Sequence, residues 1–347
     1  MSIMSTMSTK KFFTEYLLIE LKEKFEKNNF PKYRAQQIWQ WFYQKGICKY
    51  EGMGNIPAKL RESLSRELPL LSTKVIKVSK GTDTSEKRLI QLKDGETIET
   101  VWIPMGKHAT VCVSTQVGCP VQCAFCASGA DGLIRNLSAG EIVEQVWHIH
   151  AAHSRREINN LVFMGMGEPL LNYKNLLKAI QILKDEHGFC IGSRKITVST
   201  TGVLKGINSL SEDAPQIKLA VSLHACSDNL RKKLIKNCPS KINELVNTLK
   251  KCYHGSRNRI TFEYVLLKGI NDSEADALKL AEIIRKIPSK VNLIPYNKVP
   301  NLNYESPLGN HVRKFEKVLK ENNVTAVVRR KKGEDINAAC GQLRRSR

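Results

Sequence analysis

Gly118-Cys-Pro-Val-Gln-Cys-Ala-Phe-Cys-Ala-Ser-Gly129 carries three cysteines, Cys119, Cys123 and Cys126, in a C-x3-C-x2-C spacing on one short stretch. Zinc ribbons and knuckles ordinarily present C-x2-C pairs and need four donors to close a tetrahedron. Three neighbouring thiolates suit a [4Fe-4S] cluster, which they hold by three irons while the fourth stays open to a small molecule. The competing reading is a zinc site that borrows a distant fourth donor such as His108 or His224. Immediately upstream, residues 110–115 form an apolar, β-branched run, so the cysteine loop leaves the end of a predicted strand.

Working outward, further apolar β runs fall at 161–164, 195–199, 218–223, 260–266, 291–294 and 324–328, with helical patterns between them. Ser138 and Glu141 make a capping box that opens the helical run 142–150. This alternation predicts parallel β/α units closed, or partly closed, into a barrel with its site at the C-terminal ends of the strands. The motifs lie where that rule puts them. Met164-Gly-Met-Gly-Glu-Pro169 follows the second strand, Ser199-Thr-Thr-Gly202 the third, and Ser222-Leu-His224 the fourth. Gly165 and Gly167 let backbone approach a ligand, and Glu168 with nearby carbonyls can accept from an ammonium group. Ser199, Ser222 and Asn297 offer hydroxyl and amide contacts, and His224 reads as a hydrogen-bonded pocket residue.

Upstream of residue 100 the pattern changes. Residues 11–70 read helical, amphipathic around 12–21 and 33–44, and the spacing of Trp39 and Phe42 puts them in a core although Trp39, Trp41, Phe42 and Tyr43 could stack on bases. Short alternating runs at 74–78, 87–91 and 97–103, with Gly81 and Asp94-Gly95 as turns, predict a small β-hairpin subdomain.

The chain has 347 residues, 41% of them hydrophobic, enough for one large domain and a smaller one. Ten cysteines, with no apolar signal core in the opening residues and no regular pairing pattern, point to a reducing, cytoplasmic setting. No apolar run reaches membrane-spanning length. The formal charge is +22, and basic residues crowd Arg329, Arg330, Lys331, Lys332, Arg344, Arg345 and Arg347, which favours nucleic acid as partner. Cys340, in Gly333-Glu-Asp-Ile-Asn-Ala-Ala-Cys-Gly-Gln-Leu343, sits among small residues with cations nearby, a setting that activates and exposes a thiol. Cys112 lies on the strand leading to the cysteine loop, while Cys48, Cys190, Cys226, Cys238 and Cys252 stand in ordinary contexts.

Together the cysteine loop with Phe125 before its last thiol, Met164-Gly-Met-Gly-Glu-Pro-Leu-Leu-Asn172, Ser222-Leu-His224, Asn292-Leu-Ile-Pro-Tyr-Asn297 and Asp335-Ile-Asn-Ala-Ala-Cys-Gly-Gln-Leu343 resemble the RlmN/Cfr family of radical S-adenosylmethionine (SAM) RNA methyltransferases, closest to its RlmN branch. The likeness spans roughly residues 15 to 343. It implies an α/β fold, a radical-SAM partial (βα)6 barrel with a small helical N-terminal accessory domain and a short β-hairpin region. The expected division is 1–71 for the helical, RNA-binding domain, 72–108 for the hairpin extension, and 109–347 for the barrel with its C-terminal cysteine loop.

The resemblance also implies the chemistry. Cys119, Cys123 and Cys126 would hold [4Fe-4S], while Gly167, Glu168, Ser199, Ser222, Leu223, His224 and Asn297 would hold SAM, two molecules per turnover. Cys340 would take a methyl group from one SAM, and a radical made from the second would activate that methyl for addition to adenine. Cys112 would resolve the protein–RNA adduct through a transient disulfide with Cys340, and Glu99 would be the proton acceptor. The implied substrates are carbon 2 of an adenosine in the peptidyl transferase centre of 23S rRNA and of the adenosine 3′ of the tRNA anticodon. A monomer served by a one-electron donor such as flavodoxin is expected. The alternatives are methylation at carbon 8, as in the Cfr branch, and a zinc-stabilised RNA-binding protein without catalysis.

Overall fold

The computed structural model describes residues 11–153, 158–253, 259–329 and 331–345. The opening methionine-rich residues 1–10, and Arg330 and Arg347 of the basic C-terminal run, lie outside the described residues.

Three strands come first: β1 (Lys74–Lys80), β2 (Glu86–Gln91) and β3 (Thr97–Met105), followed by β4 (His108–Cys112). Two short strands, β5 (Gln116–Gly118) and β6 (Leu133–Asn136), flank the cysteine loop. The series continues with β7 (Ile158–Phe163), β8 (Ile196–Thr200), β9 (Lys218–Ser222), β10 (Ile260–Leu266), β11 (Ser289–Pro295) and β12 (Ala326–Val328). Among the described residues these build one large sheet in the order β1-β2-β3-β4-β7-β8-β9-β10-β11-β12 and a separate β5-β6 pair. From β4 to β12 every neighbour is parallel. Since β12 pairs only with β11, the barrel is partial and open. Strands buried on both faces explain the apolar runs, such as Ile260–Leu266, that mark the parallel part.

The predicted hairpin is a three-stranded meander that joins the barrel sheet, because β3 pairs antiparallel with β4. It is therefore an extension of the barrel wall and not a subdomain apart from it. The β5-β6 pair escapes the periodicity because its strands are only three and four residues long and are shaped by left-handed glycines, Gly118 and Gly132.

The helices before the sheet are α1 (Leu18–Lys27), α2 (Lys32–Tyr43) and α3 (Ala58–Glu67). On the barrel lie α4 (Ala139–Ala152), α5 (Tyr173–Lys184), α6 (Leu204–Asp213), α7 (Asp228–Leu234), α8 (Ile242–Tyr253), α9 (Glu274–Ile284) and α10 (Gly309–Glu321). Helix α4 opens on the predicted Ser138–Glu141 capping box and is buried from Ala139 to His150, around its whole circumference. One side meets the sheet, where Gln145 bonds both the N–H and the C=O of Ser114. The other meets the N-terminal helices: Phe42 stacks on Trp147 at 5.1 Å, and Thr14 Oγ1, Ser72 and Thr73 all donate to the buried Glu144 carboxylate. Trp39, Phe42 and Tyr43 are fully buried, as helical spacing required; Trp41 is half-buried and lies under Lys45. Among the described residues no helix is long and apolar enough to cross a membrane.

Candidate active site

The cysteine loop leaves β5 through Gly118, whose φ of +76° and contact with the Gly132 carbonyl leave no room for a side chain: a Cβ there would lie 2.0 Å from that oxygen. Cys119 N–H donates to the same carbonyl at 2.8 Å. The far side of the loop is sewn to the end of α7, where Ala124 N–H donates to the Leu234 carbonyl and Cys123 bridges Ile235. Cys119, Cys123 and Cys126 line one cavity at the strand ends. Burial pushes the Cys119 thiol up to about 12, burial reinforced by the Cys126 and Cys119 charges raises Cys123, and burial raises Cys126 against hydrogen bonds from Ser128 and Gly129. Buried thiols of this kind ionise only against a strong local cation, which a metal group supplies. Among the described residues no three His, Cys, Asp or Glu side chains converge as one metal ion requires. Cys119, Cys123 and Cys126 instead bring three thiol donors to one cavity, the donor set that a [4Fe-4S] cluster takes. Of the two donors that could have completed a zinc site, His108 lies exposed at the start of β4, away from this cavity. His224 lines it, but its Nδ1 accepts from the Val265 N–H at 3.1 Å.

Opposite the thiols, the turn after β7 passes close under Gln116. A Cβ on Gly167 would sit 2.7 Å from the Gln116 side chain, and φ is +103°. Glu168 lines the cavity, and its carboxylate is already engaged within the protein. Oε2 accepts from Thr201 N–H and Oγ1 at 2.7 and 2.8 Å, and Oε1 from Leu170 N–H at 3.2 Å. Burial raises its pKa while these donors oppose the rise. Glu168 therefore ties the β7 turn to the β8 turn, and the lone-pair positions left over face the cavity. Ser199 and Ser222, at the ends of β8 and β9, stand 3.4 Å apart on the same wall. Asn297 Nδ2 donates to the Cys340 carbonyl at 3.1 Å, and its buried Oδ1 has no partner among the described residues.

Leu223 does not line the cavity. Its side chain is in the core, and its backbone acts instead, donating to the Glu263 carbonyl and accepting from Arg231 Nε. His224 follows in a left-handed conformation, φ +60°, with its ring edge-on to Phe125 at 5.0 Å. Burial, aided by the Arg231 charge, pulls His224 down to about 3, so the ring is neutral.

Three charged residues of the site were not singled out in the sequence. Glu263 lines the cavity with Oε2 unpaired and Oε1 held by Asn292; its one signal is a carboxylate inside an otherwise apolar strand. Arg329 reads as part of an RNA-facing basic run, but it turns into the cavity instead, where the Cys340 charge, ahead of those of Glu263 and Cys112, holds its guanidinium protonated against burial. Arg231 is fully buried and bonds the carbonyls of Leu223, Ser240 and Thr201, lacing three loops of the site together. In the sequence it is one of three consecutive basic residues and carries no signal.

The C-terminal loop closes the cavity. Gly341 accepts from Ala127 N–H at 2.7 Å and the Leu343 carbonyl from Ser128 Oγ at 2.6 Å, which clamps Cys340 against the cysteine loop. Cys340 lines two cavities, the one just described and a second, between β3, β4 and β12, that it shares with Cys112. Both thiols are free. Cys112 is buried and pushed up to about 12 by burial and then by the Cys340 charge. Glu99, expected from the resemblance as the proton acceptor, is buried on β3. It is buried in an ion pair with Lys87 at 2.8 Å, accepts from the Arg344 N–H at 2.9 Å, and lines a third cavity on the far side of the C-terminal loop.

Comparison with known proteins matches this architecture. Residues 113–281 fit the model of the radical SAM superfamily, and residues 15–69 fit that of the ribosomal RNA large subunit methyltransferase N-terminal domain. A dual-specificity RNA methyltransferase RlmN of Lawsonia intracellularis is 45% identical over 90% of each chain. A probable dual-specificity RNA methyltransferase RlmN of Aquifex aeolicus is 41% identical over 97% of this chain and 98% of its own. The crystal structure of a radical SAM methyltransferase from Sphaerobacter thermophilus superposes with a TM-score of 0.93 at 41% identity, covering 96% of this chain and 99% of that one.

Proposed function

This chain belongs to the RlmN family of radical SAM RNA methyltransferases, and from that premise we propose that it methylates carbon 2 of adenosine in 23S rRNA, at the peptidyl transferase centre, and in tRNA, 3′ of the anticodon. The observation that carries the reading is the place of Cys340, which faces the cluster cysteines in one cavity and Cys112 in the next. A thiol that must first receive a methyl group and later be released from RNA needs access from both sides.

The superfamily implies a [4Fe-4S] cluster on Cys119, Cys123 and Cys126 together with SAM, and once bound they supply the electron and the carbon radical that the reaction requires. The chain's own residues do the rest. Gly167 keeps the β7 turn low enough for a ligand's amino-acid end, and Ser199, Ser222 and the unpaired Asn297 Oδ1 offer polar contacts around it. The backbone around Leu223 and the neutral His224 shape the opposite wall. Cys340 is the nucleophile that carries the methyl carbon as a thioether, in a cavity that the Arg329 guanidinium also lines. Glu99 accepts the proton lost from carbon 2. Cys112 attacks the Cys340 sulfur; the sulfur–carbon bond to RNA breaks with its electron pair left on the methylene carbon, which takes a proton to become the methyl group, while the adduct's one unpaired electron leaves to the one-electron carrier, and the resulting disulfide awaits a two-electron reductant. Two SAM molecules are consumed per turnover. We place the enzyme in the cytoplasm as a monomer served by a one-electron donor such as flavodoxin.

Mass spectrometry of variants purified from cells containing RNA tests the assignment. Cys340→Ala is expected to keep its iron yet show neither protein methylation nor RNA adduct, and Cys112→Ala to carry covalently trapped RNA. Turnover by Cys340→Ala, release of methylated RNA at normal yield by Cys112→Ala, or RNA digests holding only 8-methyladenosine would each refute it.

A further inference from the structure

We infer that Lys87 is a positioning residue of the reaction, gripping one end of the loop that carries Cys340 and holding the Glu99 carboxylate that grips the other. The inference rests on the proposed role of Glu99 as proton acceptor and assigns what holds that group in place.

The register of the sheet creates the arrangement. Leu89 on β2 lies opposite Glu99 on β3, Lys87 lies opposite Val101, and Val101 in turn lies opposite Cys112 on β4. Directly opposed residues share a face, so Lys87, Glu99 and Cys112 all project from the same side of the sheet, the side on which the C-terminal loop packs. The Lys87 side chain is 13% exposed and that of Glu99 9%, a depth at which an ammonium and a carboxylate must be paired. They are: Nζ meets Oε1 at 2.8 Å.

Lys87 Nζ also donates to the carbonyl of Asn337 at 3.0 Å, three residues before Cys340. Asn337 takes a left-handed conformation, φ 52°. The other oxygen of Glu99 accepts from the N–H of Arg344, four residues after Cys340. One buried ion pair therefore holds the loop at both feet, with the reactive sulfur between them. The rest of the loop has its own anchors. Gly333 N–H donates to Asp83, Thr82 N–H donates to Asp335, Asn297 bonds the Cys340 carbonyl and Gln342 bonds the Lys298 carbonyl. Removing Lys87 thus leaves the loop docked but frees the carboxylate and one foot to drift. Displacement of a reacting group by about an ångström costs up to about 100-fold in rate.

Two stages of the reaction separate the positioning role from simple structural support. Methylation of Cys340 precedes any RNA chemistry and makes no use of Glu99, so Lys87→Met is expected to retain iron and methyl-Cys340 at wild-type levels. Release of methylated RNA should fall by about 10-fold or more, with covalent RNA adduct accumulating. RNA affinity should stay unchanged, Lys87→Arg should restore most turnover, and Lys87→Met/Glu99→Gln should be no slower than Glu99→Gln alone. Lys87→Gln, which keeps a donor without the charge, serves as the second variant should the Met protein lose its iron. Normal turnover by the Lys87 variants alongside a trapped Glu99→Gln overturns this inference alone. So does a loss explained wholly by weaker RNA binding, which would make Lys87 a phosphate contact. Normal turnover by Glu99→Gln overturns the proton-acceptor reading and this inference with it.

Discussion

His224 gives the apoprotein a stability that acid should erode in a calculable way. The ring is buried, its Nδ1 is occupied by the Val265 N–H, and it titrates at about 3 in the fold against 6.5 in the unfolded chain. Above 6.5 both states hold the ring neutral and its contribution is fully present. As the pH falls below 6.5, the unfolded chain binds a proton that the folded chain refuses, and stability is lost until about pH 3. At 1.36 kcal/mol per unit, the step from 6.5 to 5 costs about 2 kcal/mol, a large share of an ordinary domain's margin. His224→Asn removes the titration at little conformational cost, since asparagine tolerates the φ of +60° found there and its amide oxygen can accept from Val265. The raised thiols of the cysteine loop stay protonated across this range and do not blur the comparison. Urea unfolding of metal-free wild type and variant at pH 7 and pH 5 is the assay. The wild type should lose about 2 kcal/mol more than the variant between the two conditions. Equal losses, within about 0.5 kcal/mol, would mean that the ring is not held neutral and that the packing argument is wrong.

Replacing Cys123 with alanine should leave a folded chain that takes up neither iron nor sulfide under anaerobic reconstitution; stoichiometric zinc in anaerobically purified wild type would contradict the cluster. Glu144→Leu strands the donors of Thr14, Ser72 and Thr73 beneath helix α4 and should cost at least about 1–3 kcal/mol, read as a lower midpoint in chemical denaturation together with earlier proteolysis between the N-terminal helices and β1.

Much of this site is written locally in the chain, and that is why it can be read there. The three thiols of the cysteine loop, Gly167-Glu168 and Ser222-Leu-His224 each occupy one turn at the end of one strand, and short-range spacing records such turns faithfully. What escapes is whatever depends on two distant segments meeting. Arg329 and Arg231 look like members of solvated basic runs, and only the fold turns one toward Cys340 and buries the other among three loops. Glu168 is a further case: nothing in its motif shows that its carboxylate also binds Thr201, 33 residues downstream. The strand pattern gave the alternating architecture, but periodicity cannot say whether the early strands pair onward, so the joining of β3 to β4 was invisible.

That joining has a consequence for the charge of the molecule. Among the described residues the sheet ends in two unpaired rims, β1 and β12, and an unpaired rim invites a second chain to add a strand. At one end β12 is three residues long, too short to offer much of a template. At the other, β1 runs for seven residues and exposes Ile76 and Val78, an adhesive stretch were it not for Lys74, Lys77 and Lys80 spaced along it. Lysines on an outermost strand keep like strands apart through mutual repulsion and the cost of stripping their water. Part of the net charge of +22 therefore keeps copies of the enzyme from sticking to one another, and salt should weaken that protection along with the grip on RNA.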